Sequence, residues 1–320
     1  MCIEELKEKV CGGYKITKKE ACKLYEAPID ELCEAANEIR EAFCGNYFDF
    51  CTIVNGKSGK CSEDCKFCAQ SAAYHSGVEV YALQEKEELV RQAEYNAKHG
   101  IMRYSIVTSG KCLSESEIDQ VCDSVREIRE RTGQSVCASF GLLNKKQYEK
   151  IKAAGITRIH NNLESAENYF PKVCTTHSFQ DKVRAILQAK EAGMQVCSGG
   201  IIGIGESVSD RIDMAITLRE LDIHSVPINR FTPIPGTPFE YMPEIDYDMF
   251  CRTVAVYRFI LPKAYIRLAG GRGLLPDFGA WAFESGANAA ISGDMLTTDG
   301  ISIEKDMELV QSLGFKTREE

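Results

Sequence analysis

No apolar run in these 320 residues approaches the ~20 that a membrane-spanning helix needs. The opening stretch Met1-Cys-Ile-Glu-Glu-Leu-Lys-Glu-Lys lacks the apolar core of a signal peptide. Positive charge is in deficit: 38 basic residues face 47 acidic ones, for a net charge of −9. That sign is unsuited to nucleic acid or an anionic membrane, and neither is expected as a partner. No Pro/Gly/Ser-rich linker, internal repeat or low-complexity segment interrupts the chain. One domain over residues 1–320 is therefore expected.

Cysteine is abundant, at 15 residues. Without an export signal, this count points to reduced thiols and metal chemistry, not disulfides. Most cysteines still read as packing groups. Cys33 lies on the stripe Ile29, Leu32, Cys33, Ala36, Ile39, Phe43, and Cys122 lies on Ile118, Val121, Cys122, Val125, Ile128. Each stripe is one helix face, where a thiol is a small apolar filler. Cys2, Cys11, Cys22, Cys44, Cys112, Cys174 and Cys251 are given the same reading.

The exception is Cys61-Ser-Glu-Asp-Cys65-Lys-Phe67-Cys68, which follows a polar, loop-like stretch at 55–60. Three thiolates on one short loop suit a [4Fe–4S] cluster. They leave one iron without a protein ligand, open to a small molecule. The alternative is structural zinc, which needs a fourth Cys or His. His75 is the nearest histidine in the sequence.

Residues 1–47 read as helices, with Asp30 as the N-cap of one of them. From 48 onward, short apolar runs at 50–54, 103–107, 135–140, 157–160, 195–197, 225–228, 265–268 and 289–291 alternate with amphipathic stretches at 85–99, 116–131, 145–154, 179–192, 209–221 and 246–260. Strand then helix, repeated to eight, predicts an α/β fold, a (β/α)8 TIM-type barrel over 48–292. The N-terminal helices form an extension to it, and 293–320 a C-terminal tail and helix. Polar residues interrupt the strands at Cys51, Arg103, Ser105, Cys137, Asn162, Cys197, Asn229 and Arg267. So many in one barrel interior imply a site, because buried polar groups cost free energy unless partnered.

Several motifs together resemble the biotin synthase family of radical S-adenosylmethionine enzymes. They are Cys61 to Gln70, His160-Asn-Asn162-Leu-Glu164, Cys197-Ser-Gly-Gly-Ile-Ile-Gly-Ile-Gly-Glu206, Val226-Pro-Ile-Asn229 with Gly236-Thr-Pro238, and Tyr265-Ile-Arg267-Leu. The resemblance runs from about residue 35 to the C-terminus. It implies a cytoplasmic homodimer that inserts sulfur into dethiobiotin to form biotin. S-adenosylmethionine on the open iron would give a 5′-deoxyadenosyl radical, an electron would come from flavodoxin or ferredoxin, and a second, auxiliary iron–sulfur cluster would donate the sulfur. It further implies Cys61, Cys65 and Cys68 as ligands of the radical cluster. Phe67, Ser109, Glu164, Lys182 and Gly203 would lie at S-adenosylmethionine, and Asn162 and Asn229 at the ureido ring of dethiobiotin. Lys182 reads equally well as a solvated helix lysine.

The auxiliary site departs from the family pattern. Cys137, Cys197 and the catalytic Arg267 match it, but the second-strand cysteine is replaced by Ser105, a poor ligand for iron. Cys51 on the first strand is extra. Cys51, Cys137 and Cys197 are expected to hold the auxiliary cluster, [2Fe–2S] or larger, with Arg267 beside it. Ser105 is then a hydrogen-bonding neighbour. The rival readings are another radical barrel enzyme, of the hydrogenase-maturation or methylornithine-forming type, and a non-catalytic iron–sulfur scaffold.

Overall fold

The computed structural model describes residues 2–296 and 300–317. The strands are β1 (Tyr47–Lys57), β2 (Arg103–Thr108), β3 (Ser135–Ser139), β4 (Ile156–His160), β5 (Gln195–Cys197), β6 (Gly200–Ile202), β7 (Ser225–Arg230), β8 (Tyr265–Leu268) and β9 (Ala289–Ser292). All run parallel. β1 bonds to β2 on one side and β9 on the other, so the sheet closes. β5 and β6 are two pieces of one interrupted strand, both paired with β7. The result is the eight-strand barrel expected, with β6 and the extension of β1 through Lys57 as additions.

Period-two alternation sets the interior. Cys51, Ile53 and Asn55 line the barrel cavity, while Thr52 and Val54 are buried on the outer side. Side-chain oxygens start the crossover helices. Ser114–Glu117, Asn144–Gln147, Ser178–Asp181 and Ser207–Asp210 each form a reciprocal capping box, satisfying amides that the first helical turn leaves unpaired.

Helices α1 (Ile3–Cys11), α2 (Lys18–Leu24) and α3 (Ile29–Cys44) precede the barrel. α3 packs on α1 and on helix Tyr247–Ile260. Asp30 is not the cap of α3. Pro28 holds that position without a side-chain bond, because its fixed φ already suits a helix start. Asp30 sits in the first turn, where the helix dipole favours a carboxylate.

After β9 come helix Ile303–Ser312 and a two-residue strand, Lys316–Thr317, paired with the start of β1. A buried pair between Arg272 and Asp306, at 2.8 and 2.6 Å, ties this helix to the loop after β8. Within the expected tail, 297–299 and 318–320 lie outside the described residues. No helix among the described residues is long and apolar enough to cross a membrane.

Candidate active site

The barrel holds an open-mouthed cavity of about 400 Å³ lined by every candidate residue except Gly203. Gly203 lies behind the wall. Its N–H goes to Glu206 at 2.9 Å, and a side chain there would meet Ile245 and Phe231. With φ 101°, it shapes the turn.

At one end sits the cysteine loop. The Cys61 N–H bonds the Gln70 carbonyl and the Cys68 N–H bonds that of Cys65, both at 2.9 Å. Burial pushes the Cys68 thiol up to about 11. Phe67 packs on Val173, Ile201, Ile204 and Phe231. A single zinc ion would draw its ligands together, yet Cys61, Cys65 and Cys68 do not form such a group. Among the described residues the close group is Cys65, Cys174 and His177, with donor atoms within 4.8 Å of one another. His75 is not in it. Cys174 packs in the hydrophobic core, as expected, and lies beside the other two. Cys2, Cys11 and Cys112 are exposed and do not pack.

Beside the loop, Glu164 takes a left-handed conformation, φ 68°. Its backbone exchanges bonds with the Gly199 carbonyl and the Ile201 amide. A Cβ on Gly200 would lie 2.6 Å from the Glu164 carbonyl oxygen, and one on Gly199 would lie 1.9 Å from that of Pro227. The paired glycines thus let Glu164 approach, and they break the strand into β5 and β6. Asn162 donates to Glu164 Oε2 at 3.3 Å and accepts from the Gly199 N–H at 3.0 Å. Asn229 donates to the Gly200 carbonyl at 3.1 Å and accepts from the Gly270 N–H at 2.9 Å. Each amide is fixed in place, with one donor and one acceptor site left over. Lys182 is no solvated lysine. It faces the cavity, its Nζ 3.4 Å from Asn161 Oδ1. The Ser109 hydroxyl donates to the Gly59 carbonyl at 2.7 Å and so braces the stretch leading to Cys61.

The far end holds Cys51, Cys137 and Cys197, all buried. Pairing of Thr52 with Tyr104 puts Cys51 one inward row below Ser105, which is level with Cys137. Burial pushes the Cys51 thiol up to about 11. Burial acts the same way on Cys197, but the His160 hydrogen bond and the positive charges of His160 and Arg267 outweigh it and leave that thiol at about 7. Cys197 also contacts Ser225 Oγ at 3.2 Å. Burial would discharge Arg267, but Cys51, Asp49 and Cys197 hold it firmly cationic. Its guanidinium bonds Asp49 and the carbonyls of Asp49 and Ala290, the latter two at 3.0 and 2.8 Å. Sequence reasoning gave no role to Asp49 or His160. Asp49 was detectable as the next inward position below Cys51.

Both donor sets are rich in thiols, the ligands that iron–sulfur clusters take, and the residues fit two such groups. A closed parallel barrel with a three-cysteine loop on its cavity defines a radical S-adenosylmethionine barrel enzyme, and residues 55–218 match the Radical SAM superfamily. Residues 227–316 match the Biotin and Thiamin Synthesis associated domain. The sequence is 55% identical to biotin synthase of Brachyspira hyodysenteriae, over 98% of this chain and 94% of that one. It is 52% identical to that of Akkermansia muciniphila, over 98% of each. The chain belongs to the biotin synthase family. Membership makes it an enzyme of biotin formation that uses a [4Fe–4S] cluster, S-adenosylmethionine and a second iron–sulfur cluster. Among solved structures, methylornithine synthase superposes with a TM-score of 0.85 at 20% identity, covering 98% of this chain and 97% of that one. A maturase of the [FeFe]-hydrogenase reaches 0.83 at 19%, covering 98% and 75%. At such identities the likeness is one of fold.

Proposed function

We propose that the chain inserts sulfur into dethiobiotin, with radical generation at the Cys61–Cys65–Cys68 end of the cavity and sulfur supply at the Cys51–Cys137–Cys197 end. The observation that carries this reading is one cavity lined by two thiol sets, Cys61, Cys65 and Cys68 on the loop and Cys51, Cys137 and Cys197 on the strands. When bound, the first cluster with S-adenosylmethionine supplies a carbon radical, and the second cluster supplies sulfur.

The residues between bind and orient. Glu164 offers carboxylate oxygens to the ribose hydroxyls. Lys182 offers a cation to the methionyl carboxylate, and Phe67 packs beside the cofactor. The spare donor and acceptor of Asn162 and Asn229 match a cyclic urea. Arg267, neutralised on one side by Asp49, keeps positive charge beside Cys51 and Cys197. Ser105 stands near as a hydrogen-bonding neighbour. The chain works as one domain, since β6 from the first matched stretch pairs with residues 228–230 of β7 from the second. On the family reading it is a cytoplasmic homodimer reduced by a flavodoxin or ferredoxin.

The test is anaerobic incubation of full-length protein with S-adenosylmethionine, reductant and dethiobiotin. Wild type should release 5′-deoxyadenosine and form biotin. Cys65→Ala should do neither. Cys197→Ala should still release 5′-deoxyadenosine but form no biotin. Normal 5′-deoxyadenosine release from Cys65→Ala would sink the assignment.

A further inference from the structure

The segment 173–177 grips the cysteine loop from behind. The Lys66 N–H bonds the Val173 carbonyl at 2.9 Å. Asp64 Oδ1 accepts from the Thr175 and Thr176 amides at 2.8 and 3.1 Å. Between the two stretches stands the close group of metal-ligating side chains, Cys65, Cys174 and His177, with one donor atom of each within 4.8 Å of the others. The Cys174 sulfur is 3.2 Å from Asp64 Oδ1, 3.5 Å from Thr176 Oγ1 and 3.3 Å from His177 Nδ1. Glu63 Oε2 is 2.6 Å from His177 Nδ1. His177 Nε2 is buried with no hydrogen-bond partner among the described residues.

Two thiols and an imidazole are donors that zinc takes. Zinc–sulfur bonds of about 2.3 Å and zinc–nitrogen bonds of about 2.0 Å put neighbouring ligands of a tetrahedron about 3.5–3.8 Å apart. A group already within 4.8 Å has about an ångström or less to close. The clamp holds the backbone on both sides, so little order is lost in closing. The carboxylates of Glu63 and Asp64 border the group, and their charge favours a dication there. A zinc-bound histidine commonly turns its other ring nitrogen to a carboxylate, and Glu63 stands where His177 can do so.

We propose that, in the cluster-free protein, Cys65, Cys174 and His177 bind a single zinc ion, and that this ion and the radical cluster exclude each other because both need Cys65. The exclusion rests on Cys65 being a ligand of that cluster. Coordination releases the two thiol protons to solvent, and water completes the tetrahedron. Thiolate and imidazole donors suit zinc, so zinc that arrives first holds the loop against cluster assembly. The clamp is thus a second metal site that shares one ligand with the first.

The experiment titrates the full-length protein, freed of iron by a chelator and kept reduced, with Co2+ as a coloured stand-in for zinc. The readout is the charge-transfer absorption of thiolate-bound cobalt. Wild type should bind one equivalent more than Cys174→Ala or His177→Ala, so that any metal on Cys51, Cys137 and Cys197 cancels in the comparison. Each variant should hold that equivalent more than about a hundredfold more weakly, beyond the loss that an outer partner of a metal site causes. Cys61→Ala and Cys68→Ala should keep it. Should Cys174→Ala fail to fold, Cys174→Ser keeps the shape, supplies a poor ligand and should lose the same equivalent. Unchanged cobalt binding in the Cys174 and His177 variants overturns the site. Equal loss in Cys61→Ala and Cys68→Ala does so too, since the ion would then sit on the cysteine loop alone. A second arm loads Zn2+ first and then supplies iron and sulfide. Zinc should block the EPR signal of the reduced radical cluster in wild type and leave it in His177→Ala. A cluster that forms in spite of bound zinc overturns the exclusion. Wild type that forms no cluster responsive to S-adenosylmethionine even without zinc overturns the radical-cluster reading instead, a distinct failure.

Discussion

Replacing Asp49 with Asn keeps its shape and removes the charge that Arg267 faces in the barrel floor. Arg267 is 2% exposed, and stripping one partner from a buried ion pair costs about 3–5 kcal/mol, because the other charge stays desolvated. Asp49→Asn should lose stability on that scale in denaturant unfolding. Adding Arg267→Met should recover part of it, since that guanidinium no longer sits without its carboxylate, while Arg103, 3.7 Å from Asp49, still loses its ion pair with it. A double variant as unstable as the single would place the cost elsewhere. The asparagines make a second case. Loss of one buried hydrogen bond is worth about 1–3 kcal/mol, or roughly ten- to hundredfold in affinity. Asn162→Ala and Asn229→Ala should each weaken dethiobiotin binding by that factor. Asn162 also bonds Glu164, so its loss should weaken S-adenosylmethionine as well, whereas Asn229→Ala should leave that affinity unchanged. Calorimetry on each ligand separates the two.

Among the elements, the Gly199–Gly200 break is the most sensitive. A methyl on Gly200 meets the Glu164 carbonyl at 2.6 Å and the Met214 sulfur at 2.4 Å. Sulfur at the end of a flexible side chain can yield, but the carbonyl cannot. Gly200→Ala should lose about 1–3 kcal/mol and bind S-adenosylmethionine more weakly, through displacement of Glu164. Unchanged binding would show that Glu164 does not hold the cofactor. This element also marks the limit of what the sequence discloses. Strands with period-two burial and helices with capping residues are local, and their positions follow from local pattern. β6 does not, because the pairing that makes it a strand is with β7. The cluster-loop clamp is equally hidden: Asp64 and Thr175 are 111 positions apart, and only the folded chain joins them. The C-x2-H spacing of Cys174 and His177 was its one visible sign.

For the whole molecule, the two thiol sets stand on different elements of one rigid barrel, and neither contributes ligands to the other. Iron should therefore load at each end independently. A Cys61/Cys65/Cys68→Ala triple variant, purified without oxygen, should keep the iron and sulfide of the auxiliary cluster. That residue should vanish when Cys51 is also changed to Ser. Iron and sulfide analysis with Mössbauer spectroscopy reads both outcomes. A triple variant devoid of iron, or one indifferent to Cys51, would leave the sulfur source unexplained.

The β1–β9 seam bears on how the protein is made. The Cys51 sulfur contacts the Ala290 carbonyl 239 positions later, and Asp49 meets Arg267 across 218. Contacts of such sequence separation form late, after the loop-closure entropy of the intervening chain has been overcome. Residues 61–68 and the 173–177 segment that grips them are all out of the ribosome while β7, β8 and β9 are still unsynthesised. The nascent chain thus carries the radical-cluster loop and the thiols Cys51, Cys137 and Cys197 before Arg267 and the β1–β9 seam that close the floor of the barrel. Biogenesis has a built-in order, and the charged floor beside those thiols is the last part of the cavity to form.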